Sequence, residues 1–398
     1  MSKPTFKISG VGCALVDYLF KPVNFKSDHF KRYSSKYPGD GGLSPGKLVF
    51  RDEFEIFSGE NYLKVRDVIT NGNPPVALNI GGPSIVSLIH ASQLLEGLNA
   101  EVNFYGGKGN DKGGQLIIEK LQKTPLKIGK YKLSDKYTPF TDVLSDPDFD
   151  LGHGERIFIN NIGAAWDFFS EDLDEAFFES DITVFGGTAL VPHIHESLLD
   201  LLQKAKKNNA ITIINTVYDN LSEKKDPKKA WPLGKSIKTY QYVDLLIADM
   251  EEALRLSGKD NIDEALKFFK EVQVGGVIVT YGANPLYYYS NSSLLGTSEG
   301  KMPVSEKIKN IIIQEPYKIG DTTGCGDNFA GGVIASIAQQ LIEGTSKQID
   351  FKKALALGVV SGGYACFYNG GTFFEKFPGE KIENMRPYYN EYLKQLNI

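Results

Sequence analysis

Between Ser170 and Gly282 the chain repeats one alternation that few folds can accommodate. The runs ITVFGG, ITIINT, VDLLIA and GVIVTYG are short and almost wholly apolar, and helical patterns such as HESLLDLLQKAKK, EEALRLSG and IDEALKFFK lie between them. A strand that is apolar on both sides has no face to give to water, so helices must cover it above and below. The pattern predicts an α/β fold, a doubly wound and mainly parallel sheet with helices on both faces. Such sheets bind ligands beyond the carboxyl ends of their strands, and Asp249, Thr280 and Gly282 fall at such ends.

The N-terminal half reads less regularly. Phe6 to Val11 is a strand, followed by Gly12 and by ALVDYLF, with Asp17 either a turn residue or a polar group offered to a ligand. The G-x-G at its end lacks the third glycine of a dinucleotide fingerprint, because Leu15 stands there, which weakens an oxidoreductase reading. Val76 to Ile80 is a strand, and Gly81, Gly82 and Pro83 turn the chain into the helical pattern SIVSLIHASQLLEGL. Val102 to Tyr105 is another strand, and after the flexible GGKGNDKGG a helix runs from Gln115 to Leu121. Residues 23–73 show only short extended pieces such as KLVF and FEIF, and residues 128–169 look β-rich and aromatic. Neither piece carries a self-sufficient apolar pattern, so both are expected to form a small β-rich lid over the acceptor that needs a partner surface to bury its aromatics. The 398 residues are read as one domain, 1–398, with the lid built from about 18–75 and 128–168.

A net charge of −5 argues against a nucleic-acid surface. The start, MSKPTFKIS, has no apolar signal core, and no run approaches the ~18 apolar residues of a membrane span. The expectation is a cytoplasmic protein without a membrane partner. Cys13, Cys325 and Cys366 form no C-x-x-C pair, and the histidines lack metal spacing, with His193 and His195 expected in a surface loop.

The chemistry concentrates in DTTGCGDNFAGGVIASIAQQL, Asp321 to Leu341, a glycine-rich turn that runs into a helix. Gly324 and Gly326 flank Cys325, so backbone N–H groups can converge there, and the helix start adds unpaired N–H groups and a partial positive charge. That is a cradle for an anion such as phosphate. Asp327 falls in the first helical turn, where it serves either as a cap or as a base that accepts a proton from a substrate hydroxyl. Ala330, Gly331, Gly332, Ala335 and Ala338 give the helix a thin face for close packing.

Taken in order, these features resemble the ribokinase-like (PfkB) family of sugar and nucleoside kinases. DTTGCGD is similar to the family signature D-T-x-G-A-G-D, with Cys325 in place of alanine. The strand ending near Asp17, the G-G turn, the G-x-x-G-x-D-x-x-G piece from Gly106 to Gly114, a GER segment, ADMEEA as an N-x-x-E-like segment and T-x-G at Thr280 follow the family's order. The resemblance implies that Gly324, Cys325 and Gly326 form an anion hole and that Asp327 is the catalytic base. It implies that Asp17, Gly81 and Gly82, with Asp327, hold substrate hydroxyls, and that Thr280, Gly282, Asp249, Gly324 and Gly326 bind the nucleotide. Asp249 and Glu252 would organise magnesium, and Asp321 and Thr323 a monovalent cation. The implied cofactors are ATP and Mg2+, with K+ in many members, and a homodimer joined through the lid is an arrangement the resemblance allows.

The chain departs from the family at four places. Val86 stands where sugar-binding members often carry asparagine, and Asp249 replaces the usual asparagine of N-x-x-E. Asn215 replaces an aspartate common in sugar kinases, and the stretch from Asp17 to Gly81 is long, as in the adenosine-kinase branch. The leading expectation is an ATP-dependent kinase acting on a hydroxyl of a sugar or sugar-like molecule. A kinase for adenosine or another nucleoside is the alternative, and a catalytically silent binding protein is a third. No Walker loop competes, since the frame ending in Gly234, Lys235 and Ser236 begins at Lys229. That GKS reads as a polar helix start.

Overall fold

The computed structural model describes residues 4–37, 39–150, 155–320, 322–344 and 348–398. Its strands are β1 (Phe6–Gly12), β2 (Leu15–Phe20), β3 (Leu48–Phe50), β4 (Ala77–Gly81), β5 (Ala100–Gly109), β6 (Lys127–Ser134), β7 (Phe140–Asp146), β8 (Glu155–Asn161), β9 (Ile182–Gly186), β10 (Ile211–Asn215), β11 (Leu245–Asp249), β12 (Gly276–Tyr281), β13 (Asn284–Ser292) and β14 (Gly296–Met302). Nine of them form one sheet in the order β14-β13-β12-β11-β10-β9-β1-β5-β6. From β12 to β6 neighbouring strands are parallel, and β13 and β14 add an antiparallel edge hairpin. The expected doubly wound sheet is thus present.

Its strands bury both sides as their composition requires. In β11, Leu245 and Ile247 enter one core, with the helices Pro83–Leu94, Cys325–Glu343, Phe351–Ala365 and Glu380–Gln395. Leu246 and Ala248 enter the other, with the helices Leu198–Lys207, Met250–Ser257 and Ile262–Glu271. The strand order reverses between β1 and β9, the position at which open α/β sheets leave a ligand crevice. There Gly12 pairs with Gly186, and the start of the helix Pro83–Leu94 packs directly on both.

A second, five-stranded sheet has the order β3-β8-β7-β2-β4. One face of it packs Phe20, Phe140, Leu144, Ile157 and Ile159 against Phe25, Phe30, Phe54, Tyr62 and Val65 of the insertion after β2. The insertion therefore buries its aromatics in a core shared with one face of that sheet. FEIF, read as extended, lies in the helix Arg51–Ser58, and a further helix spans Tyr62–Ile69. Residues 128–134, at the start of the stretch assigned to the lid, instead belong to β6 at the edge of the large sheet. His193 and His195 lie in the short helix Pro192–Glu196, where the ring of His195 bonds Thr188 Oγ1 and the Pro232 carbonyl. The GKS does start a helix, Ile237–Tyr242, a 3-10 turn capped by Ser236.

The insertion is fastened to the small sheet by a buried carboxylate. Asp142 on β7 is 0% exposed and accepts hydrogen bonds from Tyr62 Oη at 2.7 Å and Arg66 Nη1 at 3.3 Å. Burial pushes its carboxyl up to about 6, against the pull of the Arg66 charge. Arg66→Met strands that carboxylate, and stability in urea should fall by about 3 kcal/mol. Adding Asp142→Asn should return most of it, since the amide needs no counter-charge. Additive losses in the double variant would deny the coupling.

Candidate active site

The glycine-rich turn forms the floor of the crevice. Gly324 has φ 74° and precedes the 19-residue helix Cys325–Glu343. A Cβ there would be 2.5 Å from Gly371 Cα, so both conformation and space demand glycine. A Cβ at Gly326 would meet nothing within 4 Å, so that side of the turn is open. The N–H groups of Gly326 and Asp327 have no acceptor in the helix itself, and that of Cys325 makes a long, 3.4 Å hydrogen bond to the Thr322 carbonyl. Asp327 is half-buried in the same turn, and desolvation pushes its carboxyl up to about 6.

Beneath the turn lies a buried polar network that the sequence did not announce. Asn328 Nδ2 donates to the carbonyls of Gly324 and Gly371, both at 2.8 Å. Its Oδ1 accepts from Tyr368 Oη at 2.9 Å and from Lys381 Nζ at 3.2 Å. Lys381, 1% exposed, also donates to Gln93 Oε1 at 3.1 Å, and burial brings its ammonium down to about 7. One amide thus holds the turn against the 370–371 loop, and one lysine from the C-terminal helix holds the amide.

The predicted acceptor residues converge on this floor from the small sheet. Asp17 pairs with Asn79 of β4 and Thr141 of β7, and Thr141 pairs with Asn160 of β8. All four project from the face opposite the insertion's core, and Asn160 Nδ2 donates to Thr141 Oγ1 at 3.0 Å. A Cβ on Gly81 would be 2.3 Å from Asp17 Oδ2, so the carboxylate lies over that glycine. Gly82 caps the helix Pro83–Leu94 at φ 113°. A Cβ on Gly370 would be 2.5 Å from Asn79 Cγ, which joins the acceptor residues to the loop that touches Gly324. Val86 is buried beneath Gly371 and packs there as an apolar residue. Asn79, Thr141, Asn160, Asn328 and Lys381 were all missed, because only strand register and a buried helix face bring them here.

Asp249 ends β11 and caps the helix Met250–Ser257, accepting from Glu252 N at 2.8 Å. Glu252 Oε2 accepts in return from Asp249 N at 3.0 Å and from Thr216 Oγ1 at 2.5 Å. Burial, then the charge of Asp249, pushes the Glu252 carboxyl up to about 7, and the charge of Asp327 adds to the shift. Carboxylates gathered so that one resists ionisation suit a divalent cation. Among the described residues no group of three His, Cys, Asp or Glu side chains is set to hold a metal. Thr280 pairs beside Asp249, and Gly282 turns the chain at φ 54° with open space around it. Thr323 lies in the turn just before the helix, and Asp321 lies outside the described residues.

A parallel sheet reversing at β1 and β9, with the glycine turn and its helix beside it, defines a ribokinase-like α/β fold. The model of the pfkB family of carbohydrate kinases matches residues 54–376, and the chain belongs to that family. It is therefore a phosphotransferase of the class that acts on hydroxyl groups. An adenosine kinase from Schizosaccharomyces pombe is 27% identical over 284 residues, which are 67% of this chain and 75% of that protein. The adenosine kinase of Schistosoma mansoni in complex with 2-fluoroadenosine superposes with a TM-score of 0.66 at 17% identity, covering 92% of this chain and 97% of that one. A ribokinase II-type protein of E. coli in complex with ATP and Mg2+ gives 0.62 at 17% identity, covering 97% and 99%. No helix among the described residues is long and apolar enough to cross a membrane.

The two glycines of the turn should respond differently to a methyl group. Gly324→Ala forces a side chain into φ 74° and against Gly371, and should cost at least about 1–2 kcal/mol of stability. Gly326→Ala should unfold at the wild-type temperature. Equal thermal midpoints for the two variants would contradict this account of the turn.

Proposed function

We propose that this chain is an ATP-dependent kinase that transfers the γ-phosphoryl group to a hydroxyl of a sugar or sugar-like small molecule. The observation that supports the reading is the run of close approaches Gly324–Gly371–Gly370–Asn79–Asp17, which brings the Asp17 carboxylate and the glycine turn before Asp327 to one cleft. In this reading the acceptor hydroxyl lies between Asp17 and Asp327. Asp327 takes the hydroxyl proton as the oxygen attacks phosphorus, and the N–H groups of residues 325–327 hold the charge on the phosphoryl oxygens. Asp249 and Glu252 would hold Mg2+, which neutralises phosphate charge when bound with the nucleotide. Thr280 and Gly282 would border the nucleotide, and the loop of Asp321 and Thr323 would take K+. The five-stranded sheet would act as the lid, with any homodimer formed through it, in a cytoplasmic protein.

A nucleoside acceptor is the second reading, and one observation favours it. On the face that carries Asp17, the next row is Phe158, Val143, Leu19 and Ala77, paired strand to strand and only half-buried. A polar row suits ribose hydroxyls, and an apolar row beside it suits the flat face of a base. The adenosine kinase relative points the same way. A phosphorylation screen of sugars and nucleosides with ATP separates the two, and no turnover of any of them would overturn both.

With a substrate in hand, Asp327→Asn should lower kcat by about 10² to 10⁴ while the KM for ATP changes far less. Gly324 is the N-cap and Asp327 the third residue of the helix, so a mutant that turned over normally would leave Asp327 only a first-turn acid favoured by the helix dipole. The base works only when ionised, so kcat/KM should fall as pH drops through about 6. A flat profile from pH 8 to 5 would contradict that assignment. Activity should also vanish in EDTA, and rates in potassium should exceed those in sodium.

A further inference from the structure

Two of the three cysteines meet at the edge of the cradle. Cys325 is the first residue of the helix Cys325–Glu343, between the two cradle glycines, and Cys366 follows the end of the helix Phe351–Ala365. Their sulfurs are 3.5 Å apart, although the residues are 41 positions apart in sequence. The approach is built into the helix pair. Cβ atoms on Gly332 and Gly362 would lie 2.2 Å from Ser361 Oγ and 2.9 Å from the Cys325 carbonyl, so the two helices run in close contact up to the thiols. Both thiols are only partly buried, within reach of small reagents. Cys13 is their opposite, 2% exposed, with burial and then the charge of Asp17 pushing its thiol up to about 12.

We propose that Cys325 and Cys366 form a reversible disulfide that switches off the anion cradle, with a low-molecular-weight disulfide such as oxidised glutathione as the oxidant. The Cys366 thiolate attacks one sulfur of that disulfide, forming a mixed disulfide and releasing one thiolate. Cys325 then attacks Cys366 Sγ, the S–S bond closes and the second thiolate leaves. Two protein thiols are oxidised and one small disulfide is reduced to two thiols.

Closing the bond draws the sulfurs from 3.5 Å to about 2.05 Å. Part of that movement falls on Cys325, the first residue of the helix and two residues before Asp327. The Cys366 carbonyl accepts from Gly320 N at 2.8 Å, so the segment that enters the cradle is drawn in from its other side as well. A misplacement of about 1 Å in such a site can cost about a hundredfold in rate. The inhibitory half of the proposal rests on the kinase reading above, while the bond itself does not.

The test uses the full chain equilibrated with excess oxidised glutathione, then alkylated, digested without reduction and mapped by mass spectrometry. The expected map joins the peptide of Cys325 to that of Cys366 and leaves Cys13 out of any bond. Kinase activity should fall at least about tenfold, return with dithiothreitol, and persist under oxidant in Cys366→Ser and Cys366→Ala. Both cysteines recovered without the bond would overturn the proposal, whatever the protein phosphorylates. A bond that forms with activity intact, or Cys366 variants inactivated as fast as wild type, would overturn the switch. If no acceptor is turned over at all, the map still decides the bond, and the fault lies with the kinase reading.

Discussion

The cleft depends on how closely one helix can lie against its neighbours. Gly331 in Cys325–Glu343 faces the Ser87 carbonyl and His90 of Pro83–Leu94, where a Cβ would come within 2.4 Å of that oxygen. Gly332 faces Leu357 and Ser361 on the other side. Side chains there would wedge the three helices apart, and the close-packed interior has no slack to absorb the shift. With the helices in contact, Gly324 reaches Gly371, Asn328 bridges their carbonyls, and the helix start opens beside the small sheet. The thin face foreseen in the sequence is therefore a condition for the site, and it serves two partners at once.

The buried polar layer under the cradle works on a different principle. Asn328 satisfies two carbonyls and two donors with one amide, and Lys381 is held by two side-chain oxygens and lies 5.5 Å from the Tyr368 ring. Groups of this kind stabilise little in net terms when satisfied and cost heavily when one member is lost. Their value is geometric. They permit one arrangement of the 320–328 segment against the 366–373 loop and penalise others.

What could be read in advance follows from the range of the interactions involved. The large sheet was legible because double burial marks each strand locally, and the cradle because its glycines, aspartate and helix are contiguous. Chemistry that depends on register was not legible. Asn79, Thr141 and Asn160 come from three separate strands, and nothing in VALNI, FTDVL or IFINN signals which residue will stand beside Asp17. Lys381 sits in a polar helix where a lysine reads as a solvated side chain, and only the packing of that helix on Gln93 and Asn328 buries it. The helices Arg51–Ser58 and Tyr62–Ile69 are about two turns each, too short for a period to stand out. Their apolar positions, Phe54 and Phe57, then Tyr62, Val65 and Ile69, are nonetheless spaced for one face.

That insertion has a consequence for how the cleft meets its ligand. Because Phe30, Phe54 and Tyr62 back the small sheet with a core of its own, the face carrying Asp17 is a finished plate rather than a flap that must fold over its guest. The entropy of arranging four strands is then spent when the chain folds, and docking a small molecule need not meet it again. If the sheet acts as the proposed lid, it moves as a stiff panel about the four places where the chain crosses to the main body, residues 13–14, 82, 135–139 and 162. The residues at those joins, rather than the insertion, would then set how fast the cleft opens.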